Sequence, residues 1–283
     1  MKNKVASWLV AWVGFSGITS LVFADPATTR IPFYLHRDHF IVVRGSIGDL
    51  QNLNFVIDTG ATNTMVSKKV AKKLGLKGEK KTVVAVGQKV KVEEVVLPDL
   101  QMGMAQFESV PARIGRLSFI HGLKVDALIG LTLLKRSNIA IDYTNMTLTL
   151  GTLTQCDAFI DFYGGLPFVL VRMEVQGQPL ALMLDSGAGS DLVLFKDRVK
   201  NRFSWTKTKE KRSIQHLGGK TKLNKVVLSD VEMGDSQWEE LAAYVADGRV
   251  KGYGTLDGIL GSGALGLDRL QLDFDNNRMS WEQ

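Results

Sequence analysis

The feature that most constrains the fold of this chain is an internal repeat. The segment Asp58-Thr-Gly-Ala61 follows the apolar residues 55–57, and it returns as Asp185-Ser-Gly-Ala188 after the apolar residues 182–184. In each copy an apolar strand delivers a carboxylate to a turn of small residues, and the glycine of that turn can adopt backbone angles that other residues avoid. One such motif would be a common accident of sequence. Two in matching context indicate a duplication.

Downstream of the turn the two copies remain aligned. The paired segments are Gly87 with Gly218, Val95-Val-Leu97 with Val226-Val-Leu228, Met102-Gly103 with Met233-Gly234, Asp126-Ala-Leu-Ile-Gly130 with Asp257-Gly-Ile-Leu-Gly261, and Ile141-Asp142 with Leu272-Asp273. We therefore assign residues 31–151 to an N-terminal lobe, residues 152–164 to a linker and residues 165–283 to a C-terminal lobe.

Short β-branched runs between turn residues predict an all-β fold in both copies. Turns at Gly87 and at Gly218-Gly219 are expected to join pairs of strands into hairpins. A further hairpin should close each copy, turning near residues 144–145 and 276–277. Helix is scarce, and residues 70–74 are the clearest candidate because a glycine follows them.

The first residues predict export. Lys2 and Lys4 precede a charge-free apolar run over residues 5–23, and Val22-Phe-Ala24 offers small residues at a signal-peptidase site. We expect residues 1–24 to be a signal peptide and the mature chain to be periplasmic or secreted. The alternative is an uncleaved membrane anchor, since the run approaches the ~20 residues that span a bilayer. No later segment is apolar enough to span.

Composition argues against several function classes. The formal charge is +6, or +4 once Lys2 and Lys4 are removed, and no nucleic-acid-binding motif accompanies it. Cys156 is the one cysteine, so no disulfide framework is expected. Four histidines without a His/Cys cluster predict no metal site, and we expect no cofactor. Gly261-Ser-Gly-Ala-Leu-Gly266 fits a dinucleotide-binding pattern, but too few residues follow it for a βαβ unit.

The duplicated aspartates carry the chemical hypothesis. A single aspartate at such a turn usually hydrogen-bonds its own backbone. A duplicated fold, however, places equivalent residues around a pseudo-two-fold axis, so Asp58 and Asp185 could face each other. Two adjacent carboxylates share one proton, because like charges repel in a poorly hydrated site. One member then serves as a base that activates water, and the other as an acid that protonates a carbonyl oxygen.

These motifs, together with the apolar-apolar-Gly segments that end at Gly130 and Gly261, resemble the aspartic peptidases. Each half-length copy is similar to a retropepsin subunit. The resemblance implies two β-barrel-like lobes with a cleft between them and the two aspartates as a catalytic dyad. The hydroxyl residues would cross-brace the two turns, the apolar-apolar-Gly segments would cross behind them, and the glycine hairpins would form flaps over substrate. The residues so assigned are the catalytic Asp58 and Asp185, the dyad-supporting Thr59, Gly60, Ser186 and Gly187, the flap residues Gly87, Gly218 and Gly219, and the apolar-apolar-Gly residues Leu128, Ile129, Gly130, Ile259, Leu260 and Gly261.

The expected function is that of an aspartic endopeptidase acting on a peptide or protein. One chain carries both aspartates, so we expect a monomer. Two alternatives remain open. One is a non-catalytic module of the same fold that holds an extended peptide by strand addition. The other is a two-carboxylate glycosidase, which would need no repeated Asp-Thr/Ser-Gly turn.

Overall fold

Strands make up most of the computed structural model, and the prediction of an all-β, two-lobed fold is confirmed. The structure describes residues 28–85, 88–118, 120, 122–154, 159–163, 167–189, 191–216, 219–247 and 256–282. The predicted signal peptide (1–24), Cys156, Gly87 and Gly218 therefore lie outside the described residues.

The N-terminal lobe contains the first twelve strands and two helices. They are β1 (Thr29–His36), β2 (Phe40–Ile47), β3 (Leu50–Ile57), β4 (Thr64–Ser67), α1 (Lys68–Lys73), β5 (Glu79–Ala85), β6 (Gln88–Leu97), β7 (Leu100–Met102), β8 (Ala105–Phe107), β9 (Val110–Gly115), β10 (Ala127–Ile129), α2 (Leu131–Leu134), β11 (Ile139–Asp142) and β12 (Thr147–Leu150).

A short strand, β13, lies within the predicted linker, and the C-terminal lobe follows it. The elements are β13 (Ile160–Asp161), β14 (Leu170–Val175), β15 (Gln178–Asp185), a 3₁₀ turn (Ser186–Ala188), β16 (Leu192–Phe195), α3 (Lys196–Val199), β17 (Thr206–His216), β18 (Gly219–Met233), β19 (Ser236–Ala246), β20 (Gly258–Gly261), β21 (Arg269–Asp273) and β22 (Arg278–Glu282).

Six strands of the C-terminal lobe close into a barrel. Their order is β14-β15-β20-β16-β19-β18, and β18 pairs back to β14. The N-terminal lobe has the corresponding order β2-β3-β10-β4-β9-β6, but β7 rather than β6 pairs back to β2. The strand is interrupted between β6 and β7 at Pro98, which has no N–H to continue the ladder. Both lobes therefore surround their cores with the same circuit of strands.

A shared sheet joins the lobes, in the order β13-β22-β21-β11-β12-β1. β11 of the N-terminal lobe pairs antiparallel with β21 of the C-terminal lobe, and Ile139 lies opposite Leu272 and Ile141 opposite Leu270. All four side chains are fully buried. The two predicted terminal hairpins are β11–β12 and β21–β22, so the repeated hairpins also form the junction between the lobes.

The helices are short. In α1 the side chain of Ser67 accepts a hydrogen bond from Val70 N (3.2 Å), and Gly75 follows the helix with φ +65°. The predicted helix therefore exists, but it begins two residues earlier than residues 70–74. Across the described residues, none of the helices has the length and apolar character needed to cross a membrane.

Candidate active site

Each aspartate stands at the end of a strand, where its own turn fixes one carboxylate oxygen. Oδ1 of Asp58, which follows β3, accepts hydrogen bonds from the backbone N–H groups of Gly60 (2.9 Å) and Ala61 (3.0 Å). Oδ1 of Asp185, the last residue of β15, accepts one from Gly187 N (2.8 Å). A short carboxylate side chain can bond its backbone two residues ahead in this way. The turn of each aspartate thus holds its own carboxylate.

The glycines of the two turns let the carboxyl groups meet. A Cβ atom on Gly60 would lie 2.3 Å from Cγ of Asp185, and one on Gly187 would lie 3.2 Å from Cγ of Asp58. The first distance excludes any side chain at position 60. The Cβ position of Gly187 also lies 3.1 Å from Oδ1 of Asp185, so the two carboxyl groups are close neighbours. The fold thus brings together two aspartates from separate copies of the repeat.

Thr59 and Ser186 hold the two turns together. The backbone N–H of Thr59 donates to Ser186 Oγ (3.1 Å), and that of Ser186 donates to Thr59 Oγ1 (2.9 Å). Each hydroxyl in turn donates across the interface, Thr59 Oγ1 to Leu184 O (3.1 Å) and Ser186 Oγ to Ile57 O (3.0 Å). Both residues are 0% exposed, so these four hydrogen bonds form away from water, where an unpaired polar group would be costly.

The apolar-apolar-Gly segments lie beside the strands that carry the aspartates. β10 runs parallel to β3 and antiparallel to β4, and β20 has the same relation to β15 and β16. Asp58 N donates to Ile129 O (3.0 Å), and Asp185 lies opposite Gly261 in the ladder. Leu128, Ile129 and Leu260 are buried, and Ile259 is half-buried.

The glycine that ends each segment is required by backbone contact. A Cβ atom on Gly130 would lie 2.6 Å from the carbonyl carbon and oxygen of Asn63. On Gly261 it would lie 2.1 Å from the carbonyl oxygen of Gly189. Asn63 and Gly189 belong to the loops that leave the two aspartate turns. Gly130 and Gly261 therefore let each loop pack directly on the segment behind it.

Both carboxyl groups have raised pKa values, and burial is the largest cause for each. For Asp58, whose pKa lies well above the usual carboxyl range, the charge of Asp185 adds to burial, while the N–H groups of Ala61 and Gly60 oppose it. For Asp185 the N–H of Gly187 opposes burial. Both side chains are half-buried. The pair therefore retains a proton above the usual carboxyl range.

Each lobe also extends a hairpin at the position of the predicted flaps. β5 and β6 pair as far as Ala85 opposite Gln88, and β17 and β18 as far as His216 opposite Gly219. Gly219 begins β18, whereas Gly87 and Gly218 lie outside the described residues. That these hairpins cover a substrate stays a prediction.

A protein-family model described as Aspartyl protease matches residues 43–133 and 171–268, one region in each lobe. Together the two regions cover more than half of the chain, and each contains one aspartate turn and one apolar-apolar-Gly segment. The chain belongs to the aspartyl protease family.

One solved structure similar to this aspartyl protease family member is a retropepsin-like aspartic protease from Rickettsia conorii. The two chains share 22% sequence identity with a TM-score of 0.35, over 44% of this chain and 91% of that one. A search of curated proteins found no match.

Asp126 and Asp257 help to position the site of this family member. In the sequence they stood out only as part of the repeat. Oδ2 of Asp126 accepts a hydrogen bond from Asn54 N (3.1 Å), and Oδ2 of Asp257 accepts one from Ala181 N (2.9 Å). Each aspartate precedes an apolar-apolar-Gly segment and is buried. Each one thus fastens that segment to the strand that carries Asp58 or Asp185.

A cation accompanies each of these buried carboxylates. Lys124 Nζ lies 3.1 Å from Asp126, and Arg202 Nη1 lies 2.8 Å from Asp257. Buried charges need such partners. The signal that could have revealed this role was already in the sequence, because a carboxylate stands before the apolar run in both copies.

No group of His, Cys, Asp and Glu side chains that could hold a metal ion occurs among the residues that the structure describes. The dyad itself offers two carboxylates that share a proton. This pair of carboxyl groups can act on a bound water molecule as base and on a carbonyl oxygen as acid.

Proposed function

We propose that the chain is an aspartic endopeptidase in which Asp58 and Asp185 act as one catalytic unit. The observation that carries this proposal is the contact between the two carboxyl groups, which burial and mutual repulsion keep partly protonated. The ionised member takes a proton from water, and the protonated member donates to the oxygen of the scissile carbonyl. The water oxygen attacks the carbonyl carbon, and the amine leaves after gaining a proton from the dyad.

The surrounding contacts support this chemistry by fixing geometry. The cross-brace of Thr59 and Ser186 joins two buried turns by four hydrogen bonds, so neither aspartate can move without the other. Holding reacting groups in place lowers the barrier because less ordering remains for the transition state. A non-catalytic peptide-binding module would gain nothing from two protonation-coupled carboxyl groups at the base of its cleft.

We also propose the wider setting of this activity. Residues 1–24 direct export and are removed, and the mature enzyme works as a periplasmic or secreted monomer with residues 31–151 and 165–283 as its lobes. Both aspartates come from one chain, so dilution should leave the specific activity unchanged. A specific activity that collapses together with a monomer–dimer shift in sedimentation would refute the monomer.

The test is peptide cleavage by the purified mature chain between pH 3 and 8, with and without a transition-state-mimicking inhibitor of aspartic peptidases. Asp58→Asn and Asp185→Asn should each lower turnover by about a thousandfold or more, since acid–base catalysis contributes effects of that order. The double variant should be little worse than either single one, because residues that act as a unit are not additive. A folded single variant that cleaves at near wild-type rate would overturn the proposal.

A further inference from the structure

A charged group of the C-terminal lobe, Arg212 with Asp191, lies near the strand ends that carry the dyad. Asp185 lies opposite Gly261 in a parallel pair of strands, and Gly261 N donates to the carbonyl oxygen of Asp191 (2.8 Å). Neighbouring strands are about 4.8 Å apart, so the backbone of Asp191 is roughly 10 Å from that of Asp185. A residue beside Asp191 is therefore within a few peptide residues of the bond to be cleaved.

Arg212 on β17 occupies that place. Its guanidinium forms an ion pair with the carboxylate of Asp191, and its Cζ lies 3.9 Å from the centre of the Tyr244 ring. A planar cation held on an aromatic face and by one carboxylate has little freedom to reorient. The hydroxyl of Tyr244 donates to Glu210 (2.6 Å), which Lys225 also contacts (2.9 Å). Glu210 therefore already accepts hydrogen bonds from Tyr244 and Lys225.

The guanidinium of Arg212 still has hydrogen bonds to give. It carries five N–H donors, and a single carboxylate cannot accept all of them. Among the residues that the structure describes, its buried Nε finds no acceptor, although the side chain as a whole is 36% exposed. A buried unpaired donor is rare in proteins and calls for an explanation, such as an acceptor supplied by a ligand.

A residue of the N-terminal lobe lies near enough to Arg212 to be affected by its charge. His39, at the turn between β1 and β2, packs against Gly189, where a Cβ atom would lie 2.9 Å from the His39 ring. Burial is the main cause that lowers the pKa of His39, and the charge of Arg212 adds to it. The imidazole is therefore neutral near pH 7 and adds no positive charge beside Arg212.

The N-terminal lobe has no such group at the corresponding positions. The ladders place Met65 opposite Leu128 and Val193 opposite Ile259, so Asn63 stands in place of Asp191. Lys81 stands in place of Arg212. Lys81 pairs with Glu94 (2.7 Å) and approaches Glu79 (3.7 Å). Asn63 is half-buried and uncharged. Of these two corresponding cations, Arg212 in the C-terminal lobe is therefore the one with an unbonded donor.

We propose that Arg212 determines specificity by receiving a carboxylate side chain, Glu or Asp, of the peptide substrate. The inference rests on the proposed peptidase function and names one feature of its substrate. Extended peptide advances about 3.3 Å per residue, so a separation of roughly 10 Å places the acidic residue within about three positions of the cleaved bond. The substrate carboxylate would accept the N–H groups that Asp191 leaves unbonded.

The test uses peptide pairs that differ only by Glu or Gln at each of the three positions on either side of one cleaved bond. At one position the wild-type protein should cleave the Glu peptide with a kcat/KM about tenfold higher, the size expected of a charge-assisted hydrogen bond. Arg212→Gln should abolish that ratio, and Arg212→Lys should keep part of it. Asp191→Asn, which removes the competing carboxylate, should raise it.

Lys81→Gln is the matched control, because it removes the corresponding cation of the other lobe and should leave the Glu/Gln ratio unchanged. Equal losses on both peptides in Arg212→Gln would overturn the proposal, since they would show that the ion pair only supports the hairpin. So would a wild-type ratio near one at all six positions. Binding of the same peptides to the Asp58→Asn protein tests recognition without cleavage. A Glu preference in binding without any wild-type cleavage would therefore count against the peptidase function and not against Arg212.

Discussion

The C-terminal lobe closes its barrel with one unbroken strand, β18, whereas the N-terminal lobe makes the same circuit with β6 and β7, separated at Pro98. The interruption does not reach the aspartate turns, which accept the same kind of backbone hydrogen bonds in both lobes. The two copies are thus most alike within a few ångströms of the dyad and diverge with distance from it. Close backbone approach tolerates few residue types, while the outer strands tolerate many.

The polar groups near the site follow the same rule. Asp126 and Asp257 each accept a hydrogen bond from a backbone N–H of the strand that leads to Asp58 or Asp185. Their cationic partners differ in type and position, Lys124 in one lobe and Arg202 in the other. What is common to the lobes is the contact that positions the turn. The surrounding charges are free to differ, and specificity can arise there.

The largest expected effect comes from the glycines that end the apolar-apolar-Gly segments. Gly261→Ala and Gly130→Ala should each destabilise the fold by more than about 3 kcal/mol, because the new methyl group would overlap backbone atoms that cannot move alone. Gly261→Ala should cost more, since its overlap at 2.1 Å is the more severe. Denaturant unfolding measures both.

Gly266→Ala is the control for these two variants. No atom of the described residues lies within 4 Å of its Cβ position, and its φ of +65° alone should cost about 1 to 2 kcal/mol. If Gly130→Ala and Gly261→Ala cost no more than this control, the close approach of loop and segment is not what fixes the turns.

The next effect concerns the cross-brace, in which the lobes differ by one methyl group. Thr59→Val and Ser186→Ala should each cost about 1 to 3 kcal/mol, because each leaves a buried N–H and a buried carbonyl without a partner. Thr59→Ser and Ser186→Thr keep the hydroxyl and serve as controls with smaller losses. Thermal melts of the four variants would contradict the cross-brace if the hydroxyl made no difference.

A smaller, pH-dependent effect should separate the dyad from ordinary surface carboxylates. The raised pKa values of Asp58 and Asp185 mean that their contribution to stability is fully present below the usual carboxyl range and is lost as pH rises through the raised values. Asp58→Asn removes this loss. Its melting temperature relative to wild type should therefore increase between pH 3 and pH 7.

Asp247→Asn supplies a control of opposite sign. Hydrogen bonds from Asn224 and Lys196 lower the pKa of Asp247, so its contribution is present above the usual carboxyl range and is lost as pH falls. This variant should be less stable than wild type near pH 7 and approach it near pH 3. A melting difference for Asp58→Asn that does not change with pH would show that the dyad holds no shared proton.

Much of this architecture could be predicted because the duplication repeats its constraints. Asp58 and Asp185 stood out since each copy supplies a control for the other, and the terminal hairpins β11–β12 and β21–β22 follow from strand patterns with turn residues. The pairing of β11 with β21 could not be read in this way. Periodicity shows which face of a strand is buried, but not which strand lies next to it.

The charged neighbours of the dyad were also beyond prediction from sequence. Arg212, on β17, meets Asp191, which precedes β16, only through the fold, because β18 and β19 lie between these two strands in the sheet. In the sequence Arg212 belongs to a lysine-rich stretch that resembles any solvated strand. The positions of Asp126 and Asp257 were visible in the repeat, yet their role depends on partners at distant positions, Asn54 and Ala181.

The smallest expected effect tests a hydrogen bond that one lobe has and the other lacks. The hydroxyl of Tyr143, the residue after β11, donates to Oγ of Ser262 (2.5 Å). Ser262 directly follows Gly261. Burial raises the pKa of Tyr143 to about 12, so the phenol stays protonated at every pH used above. At the corresponding positions of the repeat stand Phe274 and Leu131, which cannot form such a bond.

Tyr143→Phe should cost about 1 kcal/mol, because it leaves the buried Ser262 hydroxyl without its donor while keeping the aromatic ring. Ser262→Ala should cost a similar amount. The double variant should be little less stable than either single one, since it removes both halves of one interaction and leaves no unpaired group. Additive losses in thermal melts would mean that the two side chains act separately. With coupled losses and unchanged peptide cleavage, the bond would belong to the junction between the lobes. Coupled losses accompanied by slower cleavage would instead make Tyr143 a positioning residue for the segment behind Asp185.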